Sequence, residues 1–319
     1  MPTVSVIIPV YRSEATLRDL YGQLAAALTV LVPVFEIVFV EDGGGDEAWA
    51  VIAAISKADR RVRGLRMSRN YGQHNALLAG IRAARHEVIL TMDDDLQHPV
   101  SEIAAMLAAL DDRHDLVYGV PQTSQHGTLR VAGSHLVRLA LASAMGARAA
   151  RNVSAFRAFR TRLRDGFDAY SSPYVSIDVL LSWVTTRTGA IKVLHAPRRA
   201  GVSGYSLGRL VQHAFNLLTG FSVVPLQIAS VLGFLSVLLG LTILLIVLVN
   251  YLIRGSAVPG FAFLASMIAI FSGAQLFSLG IFGEYLARIH FRSMNRPSYV
   301  IGETTADSSA ANGARSSDV

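Results

Sequence analysis

Two long segments in the carboxyl-terminal half of the chain contain no charged side chain. Asp, Glu, Lys and Arg are absent from residues 210–253 and again from residues 255–283. Each segment exceeds the roughly 20 apolar residues that an α-helix needs to cross a bilayer core of about 30 Å. We therefore predict two transmembrane helices, at about 226–253 and 260–288. A buried helical hairpin of a soluble domain is the alternative, which the first segment disfavours because it is apolar on every face.

The composition requires a division of the chain into a polar part and a membrane part. Of its 319 residues, 52% are hydrophobic and 16% are charged, too apolar for an ordinary soluble protein and too charged for a chain lying wholly in a membrane. Basic residues flank both predicted spans, whereas the loop between them carries only Arg254. The positive-inside rule therefore places both outer ends in the cytoplasm. We expect no signal peptide, because a strand pattern starts within four residues of Met1.

Residues 1 to about 120 alternate between strand-like and helix-like patterns, which indicates a mostly parallel sheet flanked by helices. Polar clusters at 9–11, 41–43, 68–71 and 93–95 each follow a predicted strand. In such sheets, ligands bind beyond the carboxyl ends of the strands. We therefore expect the four clusters to converge on one edge of the sheet.

Several classes of site are excluded by missing residues and motifs. The chain contains no cysteine, which removes thiol catalysis, disulfide bonds and Cys-ligated zinc. It contains neither G-x-G-x-x-G nor G-x-x-x-x-G-K-[ST], so neither a dinucleotide fold nor a P-loop is supported. Phosphate charge is instead expected to be neutralised by a metal ion and by arginines.

The acidic triplet Asp93, Asp94 and Asp95 follows the strand-like run 87–92. Adjacent like charges repel each other, and a divalent cation that neutralises them favours keeping them together. Mg²⁺ and Mn²⁺ take carboxylate oxygens, and Mg²⁺ usually completes its shell with substrate phosphates. We interpret the triplet as a metal–diphosphate site at a strand end. The alternative is a solvated loop whose Asp95 caps a helix starting near Val100.

A glycine-rich turn, Asp42-Gly-Gly-Gly45, follows the second predicted strand. Glycine lets the backbone approach a ligand closely, and the acidic side chain beside it can accept hydrogen bonds from a nucleobase or a ribose hydroxyl. A tight turn that uses the aspartate for its own geometry is the alternative. The sequence leaves both interpretations open.

Five sequence motifs occur together in the chain. They are Val4-Ser-Val-Ile-Ile-Pro-Val-Tyr11, Val40-Glu-Asp-Gly43, Arg69-Asn-Tyr-Gly-Gln-His74, Asp93-Asp-Asp-Leu-Gln-His-Pro99 and Gly283-Glu-Tyr-Leu-Ala-Arg-Ile289. This set resembles the inverting GT-A glycosyltransferases of family two, in the branch of polyprenyl-phosphate sugar transferases. That branch includes dolichol-phosphate mannose synthases, bactoprenol glucosyltransferases and undecaprenyl-phosphate aminoarabinose transferases. The resemblance extends from Val4 to about Glu303 and implies a Rossmann-like GT-A fold.

The resemblance also implies which residues bind the nucleotide. Asp42 is expected to read the nucleotide, while Pro9 and Tyr11 line the base pocket. The full expected set is Pro9, Tyr11, Asp42, Asp93 and Asp94. The chain departs from the family where Asn-Glu commonly follows the tyrosine, because Arg12-Ser13 stand there instead. This departure affects the details of base recognition.

The metal site is likewise implied by the resemblance. Asp93 and Asp95 match the two acidic positions of the family's D-x-D motif, and Gln97 matches its metal-side glutamine. These three residues are the expected ligands of Mg²⁺ or Mn²⁺. The expected catalytic residues are Asp93, Asp95 and Arg130.

Basic and hydroxyl residues from two segments are expected to hold the acceptor phosphate. They are Arg130, Ser134, Arg138, Arg198, Ser203 and Tyr205. The first three fall at i, i+4 and i+8 of a helix-like segment and so share one face. The last three match the family's basic-Gly-Ser-Tyr signature just before the membrane. Snorkelling towards anionic lipid is the alternative for Arg138 and Arg209.

The sequence leaves open whether the transfer uses a side-chain general base, and the chemistry gives a reason to expect that none is needed. Relatives often carry an aspartate shortly before the Phe-Arg that stands here at 156–157, whereas this chain has Arg151, Asn152 and Ser154. A phosphate monoester has its second pKa near ~6, so the acceptor is largely dianionic at neutral pH. Catalysis then consists of aligning its oxygen with the anomeric carbon and stabilising the leaving diphosphate.

We therefore expect four regions along the chain. They are a GT-A domain at 1–205, an interfacial amphipathic helix at 206–224, a membrane hairpin at 225–290 and a cytoplasmic tail at 291–319, disordered from about 304. The expected enzyme is a multi-pass protein of the inner, cytoplasmic membrane with both termini inside. It is expected to transfer one sugar, with inversion, from a nucleotide donor such as a UDP-sugar to undecaprenyl or a related polyprenyl phosphate.

Two alternatives to this function remain at the sequence level. A processive polysaccharide synthase is disfavoured because Gln-x-x-Arg-Trp is absent and two spans are few for a polymer channel. A catalytically inactive GT-A domain acting as a membrane scaffold or sugar-nucleotide sensor is disfavoured by the intact run from Asp93 to Gln97. No nucleic-acid partner is expected, and the resemblance implies a homo-oligomer, a tetramer. The sequence does not identify the sugar.

Overall fold

The computed structural model describes residues 2–122, 140–146, 150–194, 207–254 and 260–305. Eight strands in these ranges form one sheet in the order β7-β5-β6-β4-β1-β2-β3-β8. In chain order they are Val4–Val10, Phe35–Glu41, Val62–Met67, Val88–Thr91, Leu116–Pro121, Arg157–Arg160, Thr188–Val193 and Ile301–Thr304. Strands β1 to β4 run parallel, as do β5 and β7, whereas β6 and β8 are antiparallel to their neighbours. The predicted mostly parallel α/β sheet is confirmed.

Helices cover both faces of this sheet. The helices of this part are α1 Glu14–Leu31, α2 Ala48–Ala58, α3 Gln73–Ala83, α4 Ile103–Ala108 and α5 Ile177–Val184. Every residue of β1 and β2 is buried, as expected for central strands covered on both faces. Alternate side chains of β1 enter opposite cores: Val6 and Ile8 pack with α1, and Ile7 packs with α3 and α5.

Three further helices follow the sheet-forming part: α6 Leu207–Phe221, α7 Val224–Arg254 and α8 Phe261–Ser293. Within the part of the chain that the structure describes, one helix, the 30-residue Val224–Ile253, is long and apolar enough to cross a membrane. Helix α8 packs against α7, where a Cβ at Gly240 would lie 3.1 Å from Cζ of Phe271. The second predicted span lies within α8, and its crossing of the membrane stays a prediction.

The last strand corrects the predicted division of the chain. Residues 291–319 were expected to form a tail, yet Ile301–Thr304 adds an edge strand antiparallel to β3. Thr305 continues this attachment, because its Oγ1 accepts the N–H of Gly64 at 3.0 Å and lies 3.0 Å from Oγ of Ser56. The sheet is therefore built from segments on both sides of the apolar helices in sequence. A four-residue strand with no apolar periodicity gives too weak a local signal for sequence patterns to detect.

Candidate active site at the carboxyl edge of the sheet

The four polar clusters converge at the carboxyl ends of β1 to β4, as predicted. The backbone N–H of Tyr11, after β1, donates to Oδ2 of Asp94, after β4, at 3.2 Å. The loop after β3 reaches both the end of β2, through Asp42, and the acidic triplet, through Gln73. Because parallel strands place their carboxyl ends on one edge, loops that are up to 83 residues apart in sequence form one site.

Asp42 connects two of these loops. Its side chain is 3% exposed, and its two carboxylate oxygens accept the backbone N–H groups of Tyr71 at 2.7 Å and Gly72 at 2.8 Å. Burial raises the pKa of Asp42 to about 6, against the opposing effect of these two N–H donors. The carboxylate therefore holds the loop after β3 against the end of β2. Each oxygen keeps a further lone pair, so recognition of a nucleotide by Asp42 stays a prediction.

The glycines after Asp42 allow close packing of the surrounding loops. Gly43 has φ +64°, and a Cβ there would lie 2.6 Å from the backbone nitrogen of Asn70. At Gly44 a Cβ would lie 2.8 Å from the backbone nitrogen of Arg12. The N–H of Gly44 donates to Oε1 of Glu41 at 2.7 Å. The glycines thus let three loops approach one another, and within the turn the acceptor is Glu41, since Asp42 accepts N–H groups of the loop after β3.

The loop after β1 presents an aromatic ring to solvent. Tyr11 is 45% exposed, and the guanidinium of Arg12 lies 5.2 Å from the centre of its ring. Nε of Arg12 also donates to the carbonyl of Gly44 at 3.1 Å, which fixes the arginine between two loops. Pro9, in contrast, is buried within β1 opposite Val40. Tyr11 is therefore the exposed member of the predicted base pocket, with the departure at Arg12 directly beside it.

The three carboxylates of the acidic triplet are all half-buried and differ in their hydrogen-bond partners. Asp94 accepts the N–H of Tyr11, and burial raises the pKa of Asp94. Oδ1 of Asp93 accepts a hydrogen bond from Nε2 of Gln73 at 2.7 Å. Oδ1 of Asp95 accepts the N–H of Gln97 at 3.1 Å. Asp94 thus holds the loop after β1, and Asp93 and Asp95 are the two residues at the positions of D-x-D.

The alternative role considered for Asp95, capping the helix near Val100, is wrong. The short 3₁₀ helix Val100–Glu102 has Pro99 at its N-cap, without a side-chain hydrogen bond to the cap. Asp95 instead closes a turn onto Gln97, and Leu96 between them has φ +59°. The acidic loop therefore has its own geometry, independent of the helix that follows it.

The donor chemistry of Asp93, Asp95 and Gln97 fits a divalent metal that arrives with its substrate. Among the residues with described positions, no group of three or more His, Cys, Asp or Glu side chains forms a metal cage. Mg²⁺ is commonly bound by one or two carboxylates together with substrate phosphates, so a preformed cage is not required. The assignment of these ligands stays a prediction.

The run from Tyr71 to Asn75 connects the site to the rest of the domain. Nδ1 of His74 accepts the N–H of Ile177 at 3.3 Å, at the start of α5. Nδ2 of Asn75 donates to the carbonyls of Pro173 at 3.2 Å and Ser298 at 2.8 Å. In the sequence this run belongs to a motif of the resemblance, and of its residues only Tyr71 falls in a cluster expected at the sheet edge. Consecutive polar side chains at the start of a helix after a strand are the signal that could have identified it.

A cleft of about 300 Å³ lies between this run and the helices that follow the sheet. Gln73 and His74 line one wall, and Asn216, Leu217 and Phe221 of α6 line another. The other lining residues are Tyr71, Gly72, Asn75, Pro173, Tyr174 and Val175. Through Gln73, which also contacts Asp93, the cleft connects the acidic loop with α6.

A buried ion pair lies next to the acidic loop. Nη1 of Arg157 is 2.7 Å from Oδ1 of Asp178, with side chains 2% and 5% exposed, and the hydroxyl of Tyr118 donates to the same oxygen at 3.1 Å. Burial raises the pKa of Tyr118 well above its usual value. Arg157 pairs in the sheet with Thr91, the residue two positions before Asp93. This pair therefore supports the acidic loop from the neighbouring strand.

The residues predicted to bind the acceptor phosphate come from two segments, 130–138 and 198–205. Arg130, Ser134, Arg138, Arg198, Ser203 and Tyr205 all lie outside the described residues. Their roles stay predictions.

Comparisons with known proteins agree with the sheet and its site. A model of the family described as glycosyl transferase family 2 matches residues 5–169. An undecaprenyl-phosphate 4-deoxy-4-formamido-L-arabinose transferase of Pseudomonas fluorescens is 34% identical over 97% of this chain and 92% of its own length. A protein of the same name from Shewanella sediminis is 33% identical over 99% of this chain and 96% of its own length.

Among solved structures, the fold is similar to glucosyl-3-phosphoglycerate synthase of Mycobacterium tuberculosis, in complex with Mn²⁺, UDP-glucose and phosphoglyceric acid. The TM-score is 0.51 at 17% identity, over 68% of this chain and 79% of that one. At this identity the likeness supports the fold alone, which is α/β and GT-A-like.

Proposed function

Because the chain belongs to glycosyl transferase family 2, we propose that it transfers a single sugar from a nucleotide donor, a UDP-sugar, to a polyprenyl phosphate of the undecaprenyl type. The observation that carries this proposal is the acidic loop at the carboxyl edge of the sheet. There Asp94 accepts the N–H of Tyr11, whose ring is exposed, while Asp93 and Asp95 stand at the D-x-D positions. The full-length similarity to transferases named for undecaprenyl phosphate supports the acceptor.

At the donor side, residues of this chain bind and orient the nucleotide sugar. The exposed ring of Tyr11 stacks on the base, and Asp42 accepts hydrogen bonds from the nucleoside while holding the loop after β3 in place. Asp93, Asp95 and Gln97 would hold Mg²⁺ or Mn²⁺, and the cation would supply charge stabilisation to the leaving diphosphate.

At the acceptor side, the nucleophile is the phosphate oxygen of the lipid. Its second pKa near ~6 leaves it largely dianionic at neutral pH, so no side chain has to remove a proton. Arg130, Arg138 and Arg198, with Ser134, Ser203 and Tyr205, orient this phosphate for in-line attack on the anomeric carbon. A single displacement of this kind inverts the configuration at that carbon.

The proposed location of the reaction is the cytoplasmic face of the membrane. In this proposal, helices α7 and α8 form a transmembrane hairpin, and α6 lies in the interface between it and the catalytic domain. The basic flanks support a cytoplasmic position for both ends of the hairpin. A common side of the membrane for these ends is also supported by the connection of both to strands of one sheet.

Topology is tested with reporters at two positions. A reporter fused after Val319 is expected to read as cytoplasmic, and one inserted near Ser256 as external. The first fusion is placed at the end of the chain because Glu303 lies inside β8, where a fusion would disturb the sheet. A cytoplasmic reading at both positions would contradict the hairpin.

The function is tested with the purified full-length protein in detergent. Undecaprenyl phosphate is incubated with a panel of nucleotide sugars, including UDP-linked 4-deoxy-4-formamido-L-arabinose, and lipid products are identified by mass spectrometry. We expect one product carrying a single sugar, absent when Asp95→Asn replaces the wild type. A ladder of longer products would indicate a processive synthase. Nucleotide binding without any product would favour a catalytically inactive sensor.

A further inference from the structure

Arg288, near the end of α8, contacts three separate parts of the molecule. Nη2 donates to Oε1 of Glu284 on the preceding turn at 2.8 Å and to Oδ1 of Asn216 on α6 at 3.4 Å. The guanidinium carbon lies 4.2 Å from the centre of the Tyr174 ring, which belongs to the catalytic domain. The side chain is only 12% exposed. A cation from the apolar helices is thus inserted between α6 and the catalytic domain.

Two nitrogens of this guanidinium have no hydrogen-bond acceptor. Both Nε and Nη1 are buried and have no hydrogen-bond partner, and no other described side chain has two such atoms. Buried donors in native proteins are nearly always paired, so an unpaired donor calls for an explanation such as a bound ion. Gly220 of α6 lies beside Nη1, where a Cβ would be 3.4 Å from this nitrogen.

The surroundings of Arg288 indicate the charge and location of a partner. Two of its contacts, Tyr174 and Asn216, also line the cleft whose opposite wall includes Gln73. Gln73 in turn contacts Asp93, so the cleft extends from the proposed metal site to the walls that Arg288 touches. A partner that satisfies Nε and Nη1 must supply hydrogen-bond acceptors, and an anionic one gains charge-assisted bonds.

We propose that Arg288 binds the phosphate monoester at the head of the acceptor lipid as it moves from the membrane into the cleft. This inference rests on the function proposed above. Both nitrogens are covered in the present arrangement, so binding requires Tyr174 or Asn216 to move aside. Glu284 competes with the phosphate for the same guanidinium, because it holds Nη2 when no phosphate is present.

Variants of Arg288 and Glu284 distinguish phosphate binding by Arg288 from a purely structural role of the Arg288–Glu284 ion pair. With Arg288→Gln, the apparent KM for undecaprenyl phosphate should rise about tenfold or more, while UDP affinity stays unchanged. Arg288→Lys should restore part of the loss, because a point charge replaces a planar guanidinium. Glu284→Gln removes the competitor and should leave this KM unchanged or lower it. If both neutral variants raise KM equally and lower thermal stability equally, the pair is structural and the proposal is wrong.

A matched control is available one turn along the same helix. Arg292 is exposed, so Arg292→Gln removes the same charge from α8 without touching the cleft and should leave the KM for undecaprenyl phosphate unchanged. If Arg292→Gln raised this KM as much as Arg288→Gln does, the change would be due to the surface potential and the proposal would be overturned.

Co-sedimentation with vesicles of phosphatidylglycerol distinguishes binding of the acceptor phosphate from binding of a bilayer headgroup phosphate. Loss of vesicle binding by Arg288→Gln, with an unchanged KM for undecaprenyl phosphate, would identify a bilayer headgroup contact instead.

Direct binding separates this inference from the proposed function. Geranyl phosphate, a short phosphate monoester, is titrated into the full-length protein in detergent and followed by calorimetry. We expect the wild type to bind it and Arg288→Gln to bind it about tenfold or more weakly. If the wild type transfers no sugar to undecaprenyl phosphate, the proposed function fails, yet this titration still tests Arg288. Equal affinities in the two proteins would overturn the role of Arg288 alone.

Discussion

Two regions of the molecule differ in how completely the hydrogen bonds of their charged groups are satisfied. One is the carboxyl edge of the sheet around Asp42 and Asp93 to Asp95, called the donor edge because the nucleotide donor is proposed to bind there. The other is the cleft between Gln73 and α6, beside Arg288. At the donor edge, Asp42 and Asp94 accept backbone N–H groups from neighbouring loops, and Asp95 accepts the N–H of Gln97 in its own loop. At the cleft, Arg288 keeps two buried donors without partners. The first region is organised before any ligand binds, because the protein itself supplies the hydrogen bonds. The second region is organised for a partner that brings its own acceptors.

This difference follows from what the two substrates provide. A nucleotide diphosphate carries several negative charges, which the carboxylates of the acidic loop would repel without a cation between them. The loops must therefore be held rigidly around the position of that cation. A lipid phosphate arrives from the membrane and brings acceptor oxygens for the two nitrogens of Arg288 that have no hydrogen-bond partner. The four predictions that follow test this contrast, from the largest expected effect to the smallest.

Removing one flanking carboxylate of the donor edge should have the largest effect on the rate. Asp95→Asn or Asp93→Asn should reduce kcat on the order of a thousandfold or more, because leaving-group stabilisation is lost. Thermal stability should change little, since removing one of three adjacent carboxylates relieves repulsion. Steady-state kinetics and thermal unfolding measure the two effects. Near-wild-type turnover by Asp95→Asn, or full activity in excess EDTA, would contradict the metal site.

The buried pair beside the donor edge should have the largest effect on stability. Arg157→Ala leaves Asp178 buried without its cation, which is expected to lower the free energy of unfolding by about 3 kcal/mol or more. Arg162 is the matched control, because its Nη2 lies 2.8 Å from Asp115 but its side chain is 65% exposed. Arg162→Ala should change stability by about 1 kcal/mol or less. Equal losses in the two variants, measured by denaturant unfolding, would contradict a special role for burial.

The donor edge was far more predictable from sequence than the cleft. Strands β1 to β4 and the convergence of their polar clusters follow from apolar runs that are followed by polar residues, which are local signals. Which of three adjacent aspartates holds the loop after β1 is not local, because Asp94 accepts the N–H of Tyr11, 83 residues earlier. Likewise, β8 and the contacts of Asn75 depend on a segment near residue 298 that returns to the sheet after the apolar helices.

The cleft was missed for a related reason. Its walls come from three segments far apart in sequence, and Arg288 had a place in a recognised motif but no assigned role. Hydrophobic periodicity predicts which face of a helix is covered, but it does not show which buried donor lacks an acceptor. That information requires the packed arrangement of α6, α8 and Tyr174.

Removing an acceptor-side arginine should affect the lipid substrate and spare the nucleotide. Arg130→Ala is expected to reduce kcat/KM for polyprenyl phosphate by ~10- to 150-fold, the equivalent of one charge-assisted hydrogen bond of about 1.5–3 kcal/mol. UDP binding should remain nearly unchanged, because the donor edge has its own contacts. Lysine at this position should rescue only in part. If Arg130→Ala weakens UDP binding and leaves the lipid dependence unchanged, this arginine belongs to the donor diphosphate.

The smallest effect concerns pH and the organisation of the donor edge. Burial raises the pKa of Asp42 from 3.8 to about 6, so the folded state binds the proton more tightly than the unfolded state does. The free energy of unfolding should therefore fall as pH rises from about 4 to 6, by roughly 1 to 3 kcal/mol, and then level off for this group.

Asp42→Asn isolates this contribution, because asparagine does not titrate in this range. We expect the difference in unfolding free energy between wild type and Asp42→Asn to change between pH 4 and 6 and to be constant above pH 7. Denaturant unfolding at several pH values measures it. UDP affinity of the wild type should rise through the same interval, since the ionised carboxylate accepts the hydrogen bonds that fix the loop after β3. A difference that is independent of pH would show that Asp42 is ionised throughout, with its N–H donors from Tyr71 and Gly72 outweighing its burial.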